Sequence, residues 1–240
     1  MKKTVCLLAG LFIAGAAQAA VITWESVDLT SSVTEVSTSG TLLEALNFNG
    51  GTTASDYDTT INGVTFSGLV SGGGAGDAVW DNPSATYFSA NSGHVVPTNL
   101  DKYTSGLSVY DALLSGFIYD STDTGDTVTL SSLTDGQEYL VQLFMANTDS
   151  GKVGVSMVVD KDESNEFTSP TYDSNSANGF VINGTFTADA TTQTFSMNNK
   201  GTDGIQLNGY QLRAIPEPGT LGMLGFVGIV AFLRRRLARS

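Results

Sequence analysis

From Val21 to Ala214 the chain alternates apolar and polar residues in short runs separated by Gly, Asn, Asp and Ser. This is the pattern of strands joined by polar turns. Val21-Ile22-Thr23-Trp24 predicts a first strand. Residues 41–48, with Leu42, Leu43 and Leu46, suit a helical turn and a strand equally. Residues 60–66 predict a strand, with Asn62-Gly63 as a turn or a bulge. Tyr110, Leu113, Leu114 and Phe117 fall at i, i+3, i+4 and i+7, so a short helix across the sandwich is expected there.

The second half is more regular. Residues 127–130 predict a strand, Asp135-Gly136 a turn, and residues 138–145 a strand apolar at nearly every position, as a central strand covered on both faces would be. Val153, Val155, Met157 and Val159 alternate along 152–160, giving one buried and one solvated face; 180–187 and 194–197 follow the same rule. Ile205 and Leu207 keep one parity while Tyr210, Leu212 and Ala214 keep the other, which predicts a β-bulge at Asn208-Gly209. The expected fold is all-β: a single jelly-roll-like β-sandwich with one short helix.

Both ends break the pattern. Residues 219–233 form an uncharged apolar run, preceded by Pro216-Glu217-Pro218 and followed by Arg234-Arg235-Arg236. As a helix, fifteen residues reach about 22 Å at ~1.5 Å each, short against a hydrocarbon core of about 30 Å, a mismatch that thinning and arginine snorkelling absorb. Arginines beside a span stay on the cytoplasmic side, so the body must lie outside. At the other end, Lys2-Lys3, an apolar stretch over 5–16 and Ala17-Gln18-Ala19 make a secretory signal peptide cleaved after Ala19. The chain therefore divides into a signal peptide (1–19), an extracellular β-sandwich (20–214) and a tail (215–240), with the transmembrane helix at 219–233 and a basic cytoplasmic end at 234–240.

Composition narrows the chemistry. The single cysteine, Cys6, leaves with the signal peptide, so the body has no disulfide, thiolate nucleophile or cysteine metal ligand. All 24 acidic residues lie between Glu25 and Glu217, against five basic ones there, a balance of −19. Such a surface repels nucleic acid and anionic lipid. His94, the one histidine, sits in a turn-like setting with no nucleophile elbow beside it, which predicts an exposed loop residue. Gly72-Gly73-Gly74-Ala75-Gly76 lacks the Lys-Ser/Thr ending of a phosphate loop and predicts a plain loop.

Pro-Glu-Pro, a short Gly-containing apolar helix and a terminal arginine cluster together resemble the PEP-CTERM sorting signal, covering Ile215 to Ser240. The resemblance implies export by the Sec machinery, processing by signal peptidase, and recognition of the tail by an exosortase, a membrane-embedded transpeptidase-like enzyme. Pro216, Glu217, Pro218, Arg234, Arg235 and Arg236 would carry that recognition. The precursor would be anchored in the inner membrane, its body outside the cytoplasm, before passing to the cell surface or extracellular matrix. The body resembles the galactose-binding-like jelly roll of malectin-type and carbohydrate-binding modules. The likeness lies in Leu133-Thr134-Asp135-Gly136-Gln137-Glu138-Tyr139 running into Val141-Gln142-Leu143-Phe144, in Val181-Ile182-Asn183-Gly184-Thr185-Phe186, and in Leu207-Asn208-Gly209-Tyr210-Gln211-Leu212-Arg213.

Candidate ligand residues follow from these readings. Trp80, Tyr87 and Tyr103 are either core or a platform on which sugar rings stack. Two acidic clusters offer hard oxygen ligands for calcium: Asp120, Asp123 and Asp126, and Asp160, Asp162 and Glu163. Neither has EF-hand spacing, and an acidic solvated turn is the plainer reading of each. No organic cofactor motif is present, and calcium is the one cofactor candidate. The expected function is a non-enzymatic exported surface or matrix protein associated with exopolysaccharide. The alternatives are a self-associating biofilm protein and, third, a glycoside hydrolase or lyase, for which two dozen acids supply carboxylates without saying which pair would work.

Overall fold

The computed structural model describes residues 20–51, 58–70, 79–82, 86–89, 94–96, 108–114, 117–120, 126–146, 156–171, 179–200 and 205–216. The strands begin with β1 (Thr23–Asp28), β2 (Thr41–Gly51), β3 (Thr59–Ile61), β4 (Val64–Val70), β5 (Val79–Asn82), β6 (Thr86–Ser89) and β7 (His94–Val96). After one helical turn, α1 (Asp111–Leu114), come β8 (Phe117–Asp120), β9 (Asp126–Leu130), β10 (Glu138–Met145), β11 (Met157–Val159) and β12 (Phe167–Thr168). The chain closes with β13 (Phe180–Thr187), β14 (Gln193–Asn199), β15 (Ile205–Leu207) and β16 (Gly209–Ile215).

A seven-stranded sheet runs β1-β13-β10-β16-β2-β4-β3 and faces a six-stranded sheet, β12-β11-β14-β9-β6-β5, as a sandwich; β15-β8-β7 form a small third sheet. The expected all-β sandwich is present. β10 lies between β13 and β16, as its nearly unbroken apolar run requires. Residues 41–48 are strand. Asn62 and Gly63 both have positive φ, 50° and 75°, and close the β3–β4 hairpin as a tight turn, not a bulge. β4 then lies parallel to β2, a pairing that periodicity does not announce.

The expected short helix is present, shorter than its stripe, and three other expectations are corrected. The helical stripe yields only the single turn Asp111–Leu114, and Phe117 opens β8 opposite Val96. One turn fixes several dihedrals for few hydrogen bonds, so the strand ladder wins the residues beyond it. His94 begins β7 and is not in a loop. At Asn208 the chain changes sheets: Leu207 pairs with β8 and Gly209 with β10 and β2. The parity switch reflects that transfer, while the ladder irregularity lies between Leu212 and Arg213, where Leu43 of β2 is the extra residue. In β11, Val158 is buried as well as Met157 and Val159, with Thr168 and Asn198 directly across from it, so no solvated face appears. Residues 152–155 lie outside the described residues, as does the 72–76 glycine run.

Two apolar clusters sandwich the large sheet. The inner one packs Trp24, Phe48, Tyr139, Val141, Leu143, Ile182 and Tyr210 against Val128, Leu130, Met157, Phe195 and Met197 of the facing sheet. Trp24 meets Phe195 edge-on with centroids 5.2 Å apart. Gly184 lies under that indole: a Cβ there would stand 2.3 Å from the Trp24 ring and 2.7 Å from Val141, so only glycine fits. The outer cluster sets Tyr110, Leu113 and Leu114 of the α1 turn with Val36, Phe66, Phe144 and Val181. Fully burying each such side chain stabilises by about 1.5–3 kcal/mol.

Candidate functional site

Between β1 and β2, residues 29–40 cross the outer face of the large sheet. Their Ser- and Thr-rich composition cannot form a core, so the backbone must find polar partners beneath it. The strands supply them. Gln142, 2% exposed in the middle of β10, accepts from the Ser37 N–H at 2.9 Å and from the Gln211 amide, and donates to the Glu35 carbonyl at 2.8 Å and to Asn183 Oδ1 at 2.7 Å. Gln211 also donates to the Ser37 carbonyl at 3.2 Å. Asn183, Gln142 and Gln211 lie directly opposite one another on β13, β10 and β16, forming an amide ladder.

Arg213 extends the clamp. Nε donates to the Ser39 carbonyl at 2.7 Å and Nη2 to the carbonyls of Thr38 and Gly40, each at 3.1 Å. Burial lowers the pKa of this guanidinium. Gly40 has φ +73°, and a Cβ there would sit 2.1 Å from the Ala214 carbonyl oxygen, so the segment turns into β2 only through glycine. From the other side Asn62 Nδ2 donates to the Val36 carbonyl at 2.7 Å, which gives the tight turn a second role. Glu35 accepts from Thr30 Oγ1 and from Tyr110 OH. Burial opposes the ionisation of Glu35, but the hydrogen bonds from Thr30, its own backbone and Tyr110 outweigh it and hold the carboxyl below its usual range. Burial raises the Tyr110 phenol, and the Glu35 charge adds to that.

The clamped segment walls a cleft of about 570 Å³ whose floor is the sheet. Glu25 of β1 is exposed and lies opposite Asn183, whose carbonyl is taken by Gln142, leaving its amide N–H pair for the cleft. Val27 and Leu140 add apolar surface, and Thr34 and Ser39 add hydroxyls. Carboxylate, amide and hydroxyls beside small apolar patches suit a neutral polyhydroxylated ligand, which offers both donors and acceptors. None of these residues was singled out from the sequence. The available signal was an amide flanked by apolar residues in each of three strands, Gln142, Asn183 and Gln211.

The residues singled out from the sequence fall elsewhere. The β5–β6 register sets Trp80 across from Phe88 and Tyr87 across from Asp81, so the two aromatics do not form a cross-strand pair. Tyr103 and Asp123 lie outside the described residues, as do Ala17, Ala19, Glu217, Pro218, Arg234, Arg235 and Arg236. Asp120 ends β8 and Asp126 opens β9. Asp160, Asp162 and Glu163 are not brought together. Asp160 turns inward, accepting at Oδ2 from Trp24 Nε1 (2.8 Å) and Asn165 Nδ2 (2.7 Å) and at Oδ1 from the Ser196 N–H (3.2 Å). It is a clasp between β1 and β14, while Asp162 and Glu163 stay exposed in the turn, Asp162 with φ 67°. Among the described residues no three metal-ligating side chains converge, and no helix is long and apolar enough to cross a membrane. The expected span at 219–233 lies outside them.

Residues 214–236 match the family model of the PEP-CTERM protein-sorting motif. The motif marks an exported, membrane-anchored precursor processed by an exosortase, a membrane-associated sorting enzyme. No curated protein matches the chain. Among solved structures, exo-β-1,3-galactanase from Phanerochaete chrysosporium with galactose is 13% identical over 58% of this chain and 30% of its own length, at a TM-score of 0.31. A single-residue variant of that enzyme with β-1,3-galactotriose is 12% identical over 58% and 30%, at 0.32. A carbohydrate-binding module of the β-sandwich superfamily is 12% identical over 60% of this chain and 66% of its own, at 0.13. The chain thus spans less than a third of the galactanase's length.

Proposed function

We propose that the protein is a substrate of the export and sorting pathway whose body serves outside the cell as a non-catalytic, exopolysaccharide-associated module. In this reading signal peptidase cuts after Ala19, residues 219–233 hold the precursor in the inner membrane with Arg234, Arg235 and Arg236 inside, and the exosortase acts at Pro216-Glu217-Pro218. The sorting motif carries the reading. It begins within β16 and leaves the sheet at the exposed Pro216, with no linker between body and signal. Prolines on both sides of Glu217 disfavour helix and keep the triplet open to an enzyme. Replacing the triplet by three alanines should leave uncleaved precursor in a host with an exosortase; normal processing sinks the claim.

The cleft supports the role of the body. A glycoside hydrolase needs a carboxyl with raised pKa to protonate its leaving group. Of the two carboxyls lining the cleft, Glu35 is displaced the other way by its hydrogen bonds and is a poor leaving-group acid. Asn183→Asp, which keeps the acceptor for Gln142 but removes the N–H pair, and Glu25→Gln should each abolish retention on an exopolysaccharide affinity gel while leaving the fold intact. Equal retention by both variants removes the cleft from the assignment. Concentration-dependent assembly with no saccharide preference replaces binder by building block.

A further inference from the structure

We infer that the end of the sandwich from which the tail leaves rests on the bilayer surface in the precursor, with Leu42 and Leu43 of β2 entering the lipid interface. The inference rests on the reading of the tail as a membrane segment. It draws on two observations of the body that the motif does not supply.

The first is reach. β16 stays paired to its end, with Ile215 opposite Glu138 and its carbonyl accepting from the Gln137 side chain. Four Cα steps separate Ile215 from Gly219, where the apolar run begins. Even fully extended they span at most about 14 Å. While the tail is in the membrane, this end is held within about 14 Å of the hydrocarbon core.

The second is composition. Among the described residues five large apolar side chains are exposed, and three of them, Val21, Leu42 and Leu43, are at this end. Leu42 pairs with Arg213, two positions before Ile215, and Leu43 is the extra residue of the bulge beside it. The bulge bends the strand and re-aims its side chains, leaving both leucines out of the core at 38% and 40% exposure. Val21, 57% exposed, precedes β1 at the corner nearest Thr185. Four strand spacings, about 19 Å, separate β1 from β2, so the apolar corners bracket the exit strand. Asp135, Glu138 and Asp189 carry negative charge around them. The contact is therefore apolar and favours a neutral surface over an anionic one.

The test uses residues 20–240, which hold no native cysteine, with one introduced cysteine, Leu42→Cys, Leu43→Cys or, at the opposite end of the sandwich, Ser31→Cys. Each is labelled with an environment-sensitive fluorophore in phosphatidylcholine vesicles containing a lipid-bound quencher. The near-ultraviolet signal of the buried Trp24 checks each variant's fold. Blue-shifted, strongly quenched emission at 42 and 43, with water-like emission at 31, is the expected result. Water-like emission at all three positions in protein that sediments with the vesicles overturns the inference and leaves the tail reading standing. Protein that does not sediment overturns both. Shielding that appears only after a membrane-embedded exosortase is added assigns the surface to a protein partner and overturns the lipid contact.

Discussion

On one face of β10, Tyr139, Val141, Leu143 and Met145 meet the facing sheet through carbon; on the other, Gln142 is just as buried and is held by four hydrogen bonds. The inner face gains its stability from area, which is non-directional and tolerates exchanges of similar volume. The polar part of the outer face gains little net energy per bond, but the bonds to the Ser37 N–H and the Glu35 carbonyl specify where residues 35–40 must lie, while those to Asn183 and Gln211 hold Gln142 itself in place. Apolar contacts alone, such as those of Val36 in the outer cluster, would have allowed the segment to slide. Gln142, Gln211 and Arg213 fix it atom by atom, and the cleft wall is positioned by that fixing.

The largest expected effect tests the inner face. Leu143→Ala should cost about 2–5 kcal/mol through lost burial and a residual cavity, read as a lower urea midpoint with unchanged slope. A cost near zero would mean that the inner face is not close-packed. Gln142→Leu should cost less, about 2–3 kcal/mol, because the groups it strands can partly regain water. Its sign is local: amide exchange across 35–40 should accelerate by more than the global stability change explains. Uniform acceleration would show that the two faces unfold as one unit.

Trp24→Phe keeps most of the ring packing but removes the indole donor from the Asp160 carboxylate, at a cost of about 1–3 kcal/mol. Asp160→Asn should cost at least as much, since its NH2 replaces one accepting oxygen and must face either the Ser196 N–H or the Trp24 and Asn165 donors. A smaller cost would mean that the Ser196 and Asn165 bonds add nothing to the clasp.

The smallest effect is the pH response of the clamp. The native pKa of Glu35 lies below its ordinary 4.5, so its contribution is fully present above about pH 4.5 and is lost as pH falls through the lower native value. Exchange across residues 35–40, relative to the intrinsic rate at each pH, should therefore rise below about pH 4.5. Glu35→Gln should flatten that rise, and an unchanged profile would remove the carboxylate from the clamp.

Much of the architecture was legible because strand periodicity reports burial directly. The run from Glu138 to Met145 was read as central and is central, and Asp135-Gly136 was read as a turn and is one, with Gly136 at φ +79°. Periodicity fails where burial comes from two directions or where a strand changes partners. Val158 is covered by cross-strand neighbours that its own sequence does not name, and the parity break at Asn208 is a transfer between sheets. Asn208 sustains that transfer by bonding the Ala146 N–H at 2.7 Å and the Leu114 carbonyl at 2.8 Å, two contacts far away in sequence. Of the candidate site almost nothing was legible, since an amide in a strand looks alike whether it faces water or clamps a loop.

By itself the sequence determined the sorting motif near its C-terminal end, the all-β class and the central strand, because charge, run length and alternation are local properties. The parallel β2–β4 pair, the amide ladder beneath residues 35–40, the inward turn of Asp160 and the placing of Leu42 and Leu43 beside the exit strand were decided by tertiary structure. Each depends on which strands become neighbours, and that choice is made by burying the whole of both sheets at once, not by any single stretch.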